Sequence, residues 1–213
     1  MSLYDGLLLT CSLLLLVGYH IEFLRRLRRK PLTTSFGFYN ATRVAWVQAV
    51  MQERPNVLAI QTLRNWIMAA SFMASAGIII GLGIFNAALN AGLLGNSDTL
   101  AVTAGASSHK WLQIKLIVLG MVFFLAFFNF TLAIRYYIHV GYLINIPEAL
   151  NPAITPALVA NTLNRGAAHY TIGMRAFYIA IPLALWLFGE VWLLAGSATL
   201  LVILSRLDRA TTM

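Results

Sequence analysis

Four long runs of apolar residues alternate with polar, arginine-containing segments along the chain. The runs cover about residues 6–23, 66–89, 111–137 and 175–204. A helix of about 20 mostly apolar residues is long enough to cross the hydrocarbon core of a bilayer. The pattern therefore predicts an all-α fold, a polytopic membrane protein whose four transmembrane helices form one bundle domain over residues 1–213.

Two of the predicted spans continue as helices beyond the bilayer. Residues 56–65 lead into the second span without a break, and the third span continues to Ile146, just before Pro147. At about 1.5 Å per residue, a helix over residues 111–146 is roughly 50 Å long, whereas the hydrocarbon core is about 30 Å thick. We therefore expect long helical extensions on the cytoplasmic side.

Two shorter helices are expected in the connections on that side. One covers residues 40–54. The other covers residues 156–165, with Thr155 as its N-cap, Pro156 in its first turn and Gly166 as its stop.

Composition supports the membrane assignment. Sixty per cent of the residues are hydrophobic and 10% are charged, whereas soluble domains have about 45–50% and about 25%. A soluble enzyme, a nucleic-acid-binding module and a disordered chain are excluded, because so few charges cannot cover a water-exposed surface. The expected partner is the lipid bilayer with its anionic headgroups, and no nucleic acid.

The net charge of +8 is unevenly distributed. Eleven of the 15 Lys and Arg residues lie in the connections between spans one and two and between spans three and four. Since cytoplasmic loops of membrane proteins are enriched in Lys and Arg, we expect a multi-pass protein of the inner cell membrane. Its two long connections would be cytoplasmic and both termini outside.

A group of basic residues stands at the cytoplasmic ends of different spans. Arg64, Arg135 and Arg175 each end one span, and His20 and Asn65 lie at the same level. Converging guanidinium groups bind phosphates and carboxylates through paired hydrogen bonds. The pattern predicts a site for an anionic solute or a lipid headgroup. The alternative is that each arginine reaches separate headgroups.

Glu190 is the one carboxylate predicted deep in a span, near the middle of the membrane. Such a charge usually faces the bundle interior and has a partner, and the candidates are Asn129 or Lys115. A proton or cation site is one interpretation. The other is that Gly189 breaks the helix and Glu190 caps its second half.

The second span carries small residues at helical spacing, Ala70 with Ala74 and Gly77 with Gly81. Small residues allow a second helix to approach closely. They indicate either packing within the chain or an interface between protomers, and on this basis we expect a homo-oligomer.

His20 and His139 fall at similar depth on two spans and could ligate a haem iron axially, or a metal together with Glu22. The alternative is a pair of ordinary interfacial histidines. No phosphate-binding loop, catalytic triad or zinc spacing occurs in the sequence. We therefore expect no catalytic residues, no metal and no cofactor, with haem as the alternative.

Several motifs together resemble those of an uncharacterised membrane family, "domain of unknown function 599". They are RVAWVQAVM, NVLAIQTLRNWIMAASFMAS, LAIRYYIHVGYLIN and GMRAFYIAIPLALWLFG. The resemblance covers nearly the whole chain and implies membrane residence but no activity. Its motif positions are His20, Gln61, Arg64, Asn65, Arg135, Asn145, Arg175 and Gly189. Glu190 replaces a proline expected in relatives, which favours a helix break at Gly189, and His139 replaces other polar residues, which weakens haem ligation.

The leading functional hypothesis is a non-enzymatic, homo-oligomeric channel or transporter-like protein with a basic site on its cytoplasmic side. A haem-binding membrane redox protein is the first alternative. A structural, lipid-organising oligomer without a solute path is the second.

Overall fold

The computed structural model describes residues 3–53, 56–93, 109–147 and 150–209 of the chain. The regular secondary structure of this part is helical, apart from an isolated bridge between Thr34 and Arg209. The helices are α1 (Leu3–Arg29), α2 (Ser35–Glu53), α3 (Asn56–Leu93), α4 (His109–Leu143), α5 (Pro156–Leu185) and α6 (Glu190–Leu207). Short 3-10 turns lie at Pro31–Thr33 and Trp186–Phe188.

Five of the described helices, all except α2, are long and apolar enough to cross a membrane. The protein is therefore an all-α membrane protein. The predicted number of four spans is not confirmed, and the difference lies in the last apolar run, residues 175–204. That run contains the end of α5 and most of α6, two helices rather than one.

The chain reverses direction at Gly189, between α5 and α6. Gly189 has a φ of 131° and a ψ of 167°, a conformation open to glycine and strained for other residues. A Cβ atom built on Gly196 would lie 3.1 Å from Cα of Pro182. In one continuous helix these two residues would be about 20 Å apart. Helices α5 and α6 therefore form a tight antiparallel hairpin.

The hairpin changes where the chain ends. Asp208, just after α6, lies beside Arg175, and Arg209 bridges to Thr34 next to the end of α1. Leu3 is at the opposite end of α1, about 40 Å away for a 27-residue helix. The first and last described residues are thus at opposite ends of the bundle. The expectation of both termini on one side requires an even number of crossings, whereas the candidate helices among the described residues number five.

Small residues of α3 mediate packing within the chain. Ala70 and Ala74 are buried. A Cβ atom on Gly77 would lie 3.3 Å from the carbonyl oxygen of Phe123, and one on Gly81 would lie 3.4 Å from Phe123 Cβ. This face allows α4 to approach closely, as the intramolecular interpretation requires. The residues from which a homo-oligomer was predicted are occupied by α4.

The helical extensions form a packed layer at one end of the bundle. Val47 and Val50 of α2 pack in one buried cluster with Leu63 of α3, Val140 of α4 and Leu163 of α5. Helix α2, which begins at Ser35 and so earlier than predicted, thereby closes this end of the bundle.

Helix α5 begins as predicted and ends later. The hydroxyl of Thr155 accepts a hydrogen bond from the backbone nitrogen of Leu158, at 3.2 Å. The predicted stop at Gly166 is wrong, because the helix continues to Leu185. A Cβ atom at Gly166 would lie 2.7 Å from the ring of Tyr137, so this glycine serves close packing on α4. Residues 94–108, which connect α3 to α4, lie outside the described residues.

Candidate anion-binding pocket

The arginines of the predicted basic site differ in burial and in partners. Arg64 and Asn65 on α3 and Arg135 on α4 are exposed. Within the described ranges, no hydrogen bond or ion pair joins Arg64 to Arg135 or either of them to Arg175. The motif residues Gln61 and Asn145 are exposed as well.

Arg175 already has an internal partner. Its Nη2 atom lies 2.6 Å from a carboxylate oxygen of Asp208, and its guanidinium lies 4.0 Å from the ring centre of Phe23. The other oxygen of Asp208 accepts a hydrogen bond from the Tyr19 hydroxyl, at 2.6 Å. Arg175 and Asp208 therefore tie the end of α6 to α5 and α1.

His20 and His139 have different surroundings in the structure. Nδ1 of His20 is 2.8 Å from the carbonyl oxygen of Leu16 in its own helix. His139 is exposed on α4, and no contact between the described residues joins the two rings. Glu22, the suggested third metal ligand, pairs with Arg26 at 2.9 Å. These contacts leave Nε2 of His20 without a hydrogen-bond partner among the described residues, and the haem alternative stays a prediction.

Glu190 lies at the hairpin turn rather than in the middle of a span. It is the first residue of α6 and 8% exposed, and its carboxylate is 3.3 Å from Nζ of Lys115. The same Nζ donates to the carbonyl oxygen of Trp186 at 2.9 Å, and the Trp111 indole donates to Glu190 at 3.4 Å. Of the two suggested partners, the structure pairs Glu190 with Lys115. The interpretation of Glu190 as the start of a second helix agrees with this position.

Asn129, the other suggested partner of Glu190, has a different contact. Its Oδ1 atom is 3.0 Å from Nδ1 of His169. The imidazole of His169 is in turn stacked on Tyr136, with the ring centres 5.5 Å apart. This polar group lies between α4 and α5, away from the hairpin turn.

Arg43 on α2 was not predicted as a site residue from the sequence. In the structure, hydrogen bonds to neighbouring residues hold its guanidinium in place. Its Nε atom donates to Oδ1 of Asn164 on α5 at 2.8 Å. Its Nη2 atom donates to the side-chain oxygen of Asn40, one turn earlier on α2. Two neutral side chains thus hold the guanidinium in a fixed orientation.

The guanidinium lines a cavity of about 360 Å³ where four helices meet. The other lining residues are Trp66 and Ala69 of α3, Tyr137 of α4, and Ala167, Tyr170 and Thr171 of α5. The hydroxyl groups of Tyr137 and Tyr170 form no hydrogen bond with another residue in the described part of the chain. A hydroxyl can donate to an anion, so these two groups add potential donors to the charge of Arg43.

Arg43 differs from the other buried cations in its lack of an acidic partner among the described residues. Lys115 pairs with Glu190, and Arg175 pairs with Asp208. Arg43 forms no ion pair with an acidic residue in the described ranges. Burial lowers the pKa of Arg43 from its ordinary value, because removal of water disfavours the charged form. An arginine stays protonated at neutral pH, so the pocket contains a positive charge that has no acidic partner among the described residues.

Comparison with known protein families identifies the family of the chain. The family model described as "Protein of unknown function, DUF599" matches residues 7–213. The chain belongs to this family. The match covers nearly the whole chain, as the motif resemblance implied, and DUF599 carries no described activity. Neither the curated proteins nor the solved structures gave a match. The function of this DUF599 protein must therefore be argued from its pocket.

Proposed function

We propose that the protein binds an anionic ligand in the pocket around Arg43 and acts as a channel- or transporter-like membrane protein. One observation carries the proposal. Arg43 is partly buried and fixed by two asparagine oxygens, and it lacks the carboxylate partner that Lys115 and Arg175 have. A buried charge is costly unless it is paired. A bound phosphate or carboxylate would supply the missing charge.

The chemistry of the lining favours binding over catalysis. Besides Arg43, the pocket presents aromatic rings, small side chains and the hydroxyls of Tyr137, Tyr170 and Thr171. Among the described residues, its lining contains no carboxylate, histidine or thiol that could act as a general base or a nucleophile at neutral pH. Its volume of about 360 Å³ lies at the lower end of the range for small-molecule sites, about 300–1,000 Å³.

The basic end of the bundle is assigned to the cytoplasm of an inner cell membrane. The hairpin brings Arg206 and Arg209 to the end that carries Arg175, whereas the described cations of the opposite end are Lys110 and Lys115. This distribution supports the positive-inside orientation more strongly than four spans would. The N-terminal end is then outside, the C-terminal end is in the cytoplasm, and the pocket opens near the cytoplasmic surface.

The proposal is tested with Arg43→Gln, which removes the charge and keeps a side chain that can donate hydrogen bonds. We measure binding of labelled inorganic phosphate by equilibrium dialysis in detergent, and its exchange across liposomes that contain the protein. We expect the variant to bind phosphate about tenfold more weakly, because a hydrogen bond to a charged group contributes roughly 1.5–3 kcal/mol. Exchange should fall in parallel.

Arg64→Gln is the matched control, because it removes one positive charge from an exposed position at the same end of the bundle. It should leave binding and exchange unchanged. Equal effects of both variants would mean that general surface charge, rather than the pocket, attracts the anion. A further outcome is that Arg43→Gln loses phosphate binding while the unaltered protein shows no phosphate exchange. The protein would then be an anion-binding protein, and the transport part of the proposal would fail.

Homo-oligomer formation stays a prediction. Its original support, the small-residue face of α3, is taken up by α4. Apolar residues of α1 such as Leu14 are exposed and are available to lipid or to another copy of the chain. Mass photometry of the protein in lipid nanodiscs measures the oligomeric state directly.

A further inference from the structure

A groove runs along the bundle between α3 and α5. Both helices pack along α4 and make little direct contact with each other, so α4 forms the floor between them. Phe123 and Phe130 of α4 belong to this floor, and Phe130 packs in a cluster with Ala74 of α3 and Ala176 of α5. The groove forms because α4 packs against both α3 and α5 and separates them.

The part of the groove within the apolar zone forms a cavity of about 390 Å³. Its described lining is almost entirely apolar, and Ile80 and Ile181 on its two sides are 41% and 57% exposed. The remaining lining residues are Met73, Phe123, Met174, Phe177, Tyr178, Ala180 and Ala184. The exposed rim shows that this cavity opens sideways, toward the region that the bilayer occupies.

The apolar groove continues from the Arg43 pocket. Ala69 lines the pocket and Met73, one helical turn further along α3, lines the groove. Tyr170 lines the pocket and Met174, one turn further along α5, lines the groove. Tyr170 also packs against the buried clusters on both sides of this junction. A charged pocket and an apolar channel thus lie end to end along the same two helices.

We infer that the occupant of this combined site is an anionic phospholipid, with its phosphate at Arg43 and one acyl chain in the groove. This inference rests on the proposed function and names the ligand class for the same pocket. Charge complementarity selects an anionic headgroup, and the apolar lining selects a hydrocarbon chain. The sideways opening allows entry from the bilayer, where phospholipids are the abundant amphiphiles.

The length of the groove fits this occupant. From Thr171 in the pocket to Ala184 at the far end of the groove, α5 rises about 20 Å at roughly 1.5 Å per residue. One leaflet contributes about half of a hydrocarbon core of about 30 Å. The site therefore extends from the headgroup level through about one leaflet, the space that a phospholipid of the cytoplasmic leaflet occupies.

The test compares phosphatidylglycerol with phosphatidylcholine of the same long acyl chains, titrated into the delipidated full-length protein and followed by native mass spectrometry. We expect the protein to bind the anionic lipid at least about tenfold more tightly, because the choline cation of phosphatidylcholine offsets the charge of the phosphate that would face Arg43. Arg43→Gln should remove this preference. Preference that persists in Arg43→Gln, or no preference in the unaltered protein, overturns the inference.

Groove variants separate this inference from the proposed function. Met174→Trp and Ile181→Trp fill the groove from two positions without changing Arg43. Both should weaken phosphatidylglycerol binding while binding of inorganic phosphate is unchanged. Leu14→Trp, an equally bulky change at an exposed apolar position on α1, should alter neither. If both groove variants bind the lipid as the unaltered protein does, the lipid inference fails and the anion pocket stands.

A comparison without mutations gives an independent result. Soluble glycerol phosphate has the charged group but no acyl chain, and a long-chain fatty acid has the chain with a carboxylate. The inference expects phosphatidylglycerol to displace labelled phosphate at lower concentration than either. Glycerol phosphate that competes equally well identifies a soluble anion as the ligand. A fatty acid that competes better identifies a carboxylate amphiphile, and either outcome contradicts the phospholipid.

Discussion

At the scale of single residues, three cations among the described residues are partly or fully buried. They differ in whether an acidic residue compensates their charge. Lys115 is fully buried and contacts Glu190, the Trp186 carbonyl and the Trp186 ring. Arg175 is joined to Asp208. Each internal pair stabilises a helix connection because separation would leave a charge without water or a partner. Arg43 is the exception on which the functional proposal is based.

Lys115→Met tests the buried pair at the hairpin turn. The variant leaves the Glu190 carboxylate buried without its cation, and loss of one partner of a buried pair costs about 3–5 kcal/mol. We expect the free energy of unfolding, measured by titration with SDS, to fall by about this amount. The double variant Lys115→Met with Glu190→Gln should regain much of the loss, because no unpaired charge remains.

The exposed pair between Glu22 and Arg26 provides the control. Arg26→Met should leave the unfolding transition unchanged within error, because both side chains are solvated and surface ion pairs contribute little. Equal losses for Lys115→Met and Arg26→Met would contradict the argument that burial makes the difference.

At the scale of elements, Gly189 decides the number of helices. Its backbone conformation ends α5 and its 3-10 turn and lets α6 start in the opposite direction. Apolar side chains continue on both sides of this residue, so hydrophobicity does not mark the turn. The packing of Gly196 on Pro182 then holds the hairpin closed.

Gly189→Ala should destabilise the protein. With φ at 131° and ψ at 167°, a side chain in this region costs on the order of 1–3 kcal/mol. The measurement is the same SDS titration. Space is not the reason, since a Cβ atom at Gly189 would meet no atom within 4 Å.

Gly83→Ala is the matched substitution, because Gly83 is helical and a Cβ atom there also meets nothing within 4 Å. It should be neutral or stabilise the protein by up to about 1 kcal/mol, since alanine is the better helix former. If Gly189→Ala behaves like Gly83→Ala, the turn does not need its backbone conformation.

At the scale of the whole molecule, five of the described helices are long and apolar enough to cross a membrane, and the bundle has two different ends. The arginines of α1, α5 and α6 gather at one end, and Lys110 and Lys115 lie at the other. The extensions of α3, α4 and α5, covered by α2, make the basic end the thicker one. The pocket lies where this layer meets the apolar part of the bundle.

Cysteine labelling tests this arrangement in the full chain. In a Cys11→Ser background, single cysteines replace Arg209, Lys30 or Lys110, all of which are exposed. A membrane-impermeant maleimide applied to intact cells should label only the Lys110 position, and all three should react after lysis. The hairpin requires Arg209 to behave like Lys30. Arg209 reacting together with Lys110 would instead support four spans with both termini outside.

Much of the fold could be predicted because transmembrane helices are encoded locally. The long apolar runs, the Thr155 cap and the continuation of α3 and α4 beyond the apolar zone depend on nearby residues and on bilayer thickness. The sequence marks Gly189 as a possible helix break. It does not predict the hairpin, because a break does not determine the direction of the next helix. The prediction that a helix ends at Gly166 is wrong, because the role of this glycine depends on its contact with Tyr137 on another helix.

The candidate site was harder to predict for the same reason. Arg64, Arg135 and Arg175 share a depth in the sequence pattern, but depth does not fix the direction in which a side chain points. The sequence alone determined that this DUF599 chain is a helical membrane protein with a basic end, because hydrophobicity and charge act residue by residue. Only the tertiary structure decided which cations are paired and which is not, because pairing depends on the neighbours that packing brings to each charge: Asp208 for Arg175, Glu190 for Lys115, and none in the described chain for Arg43.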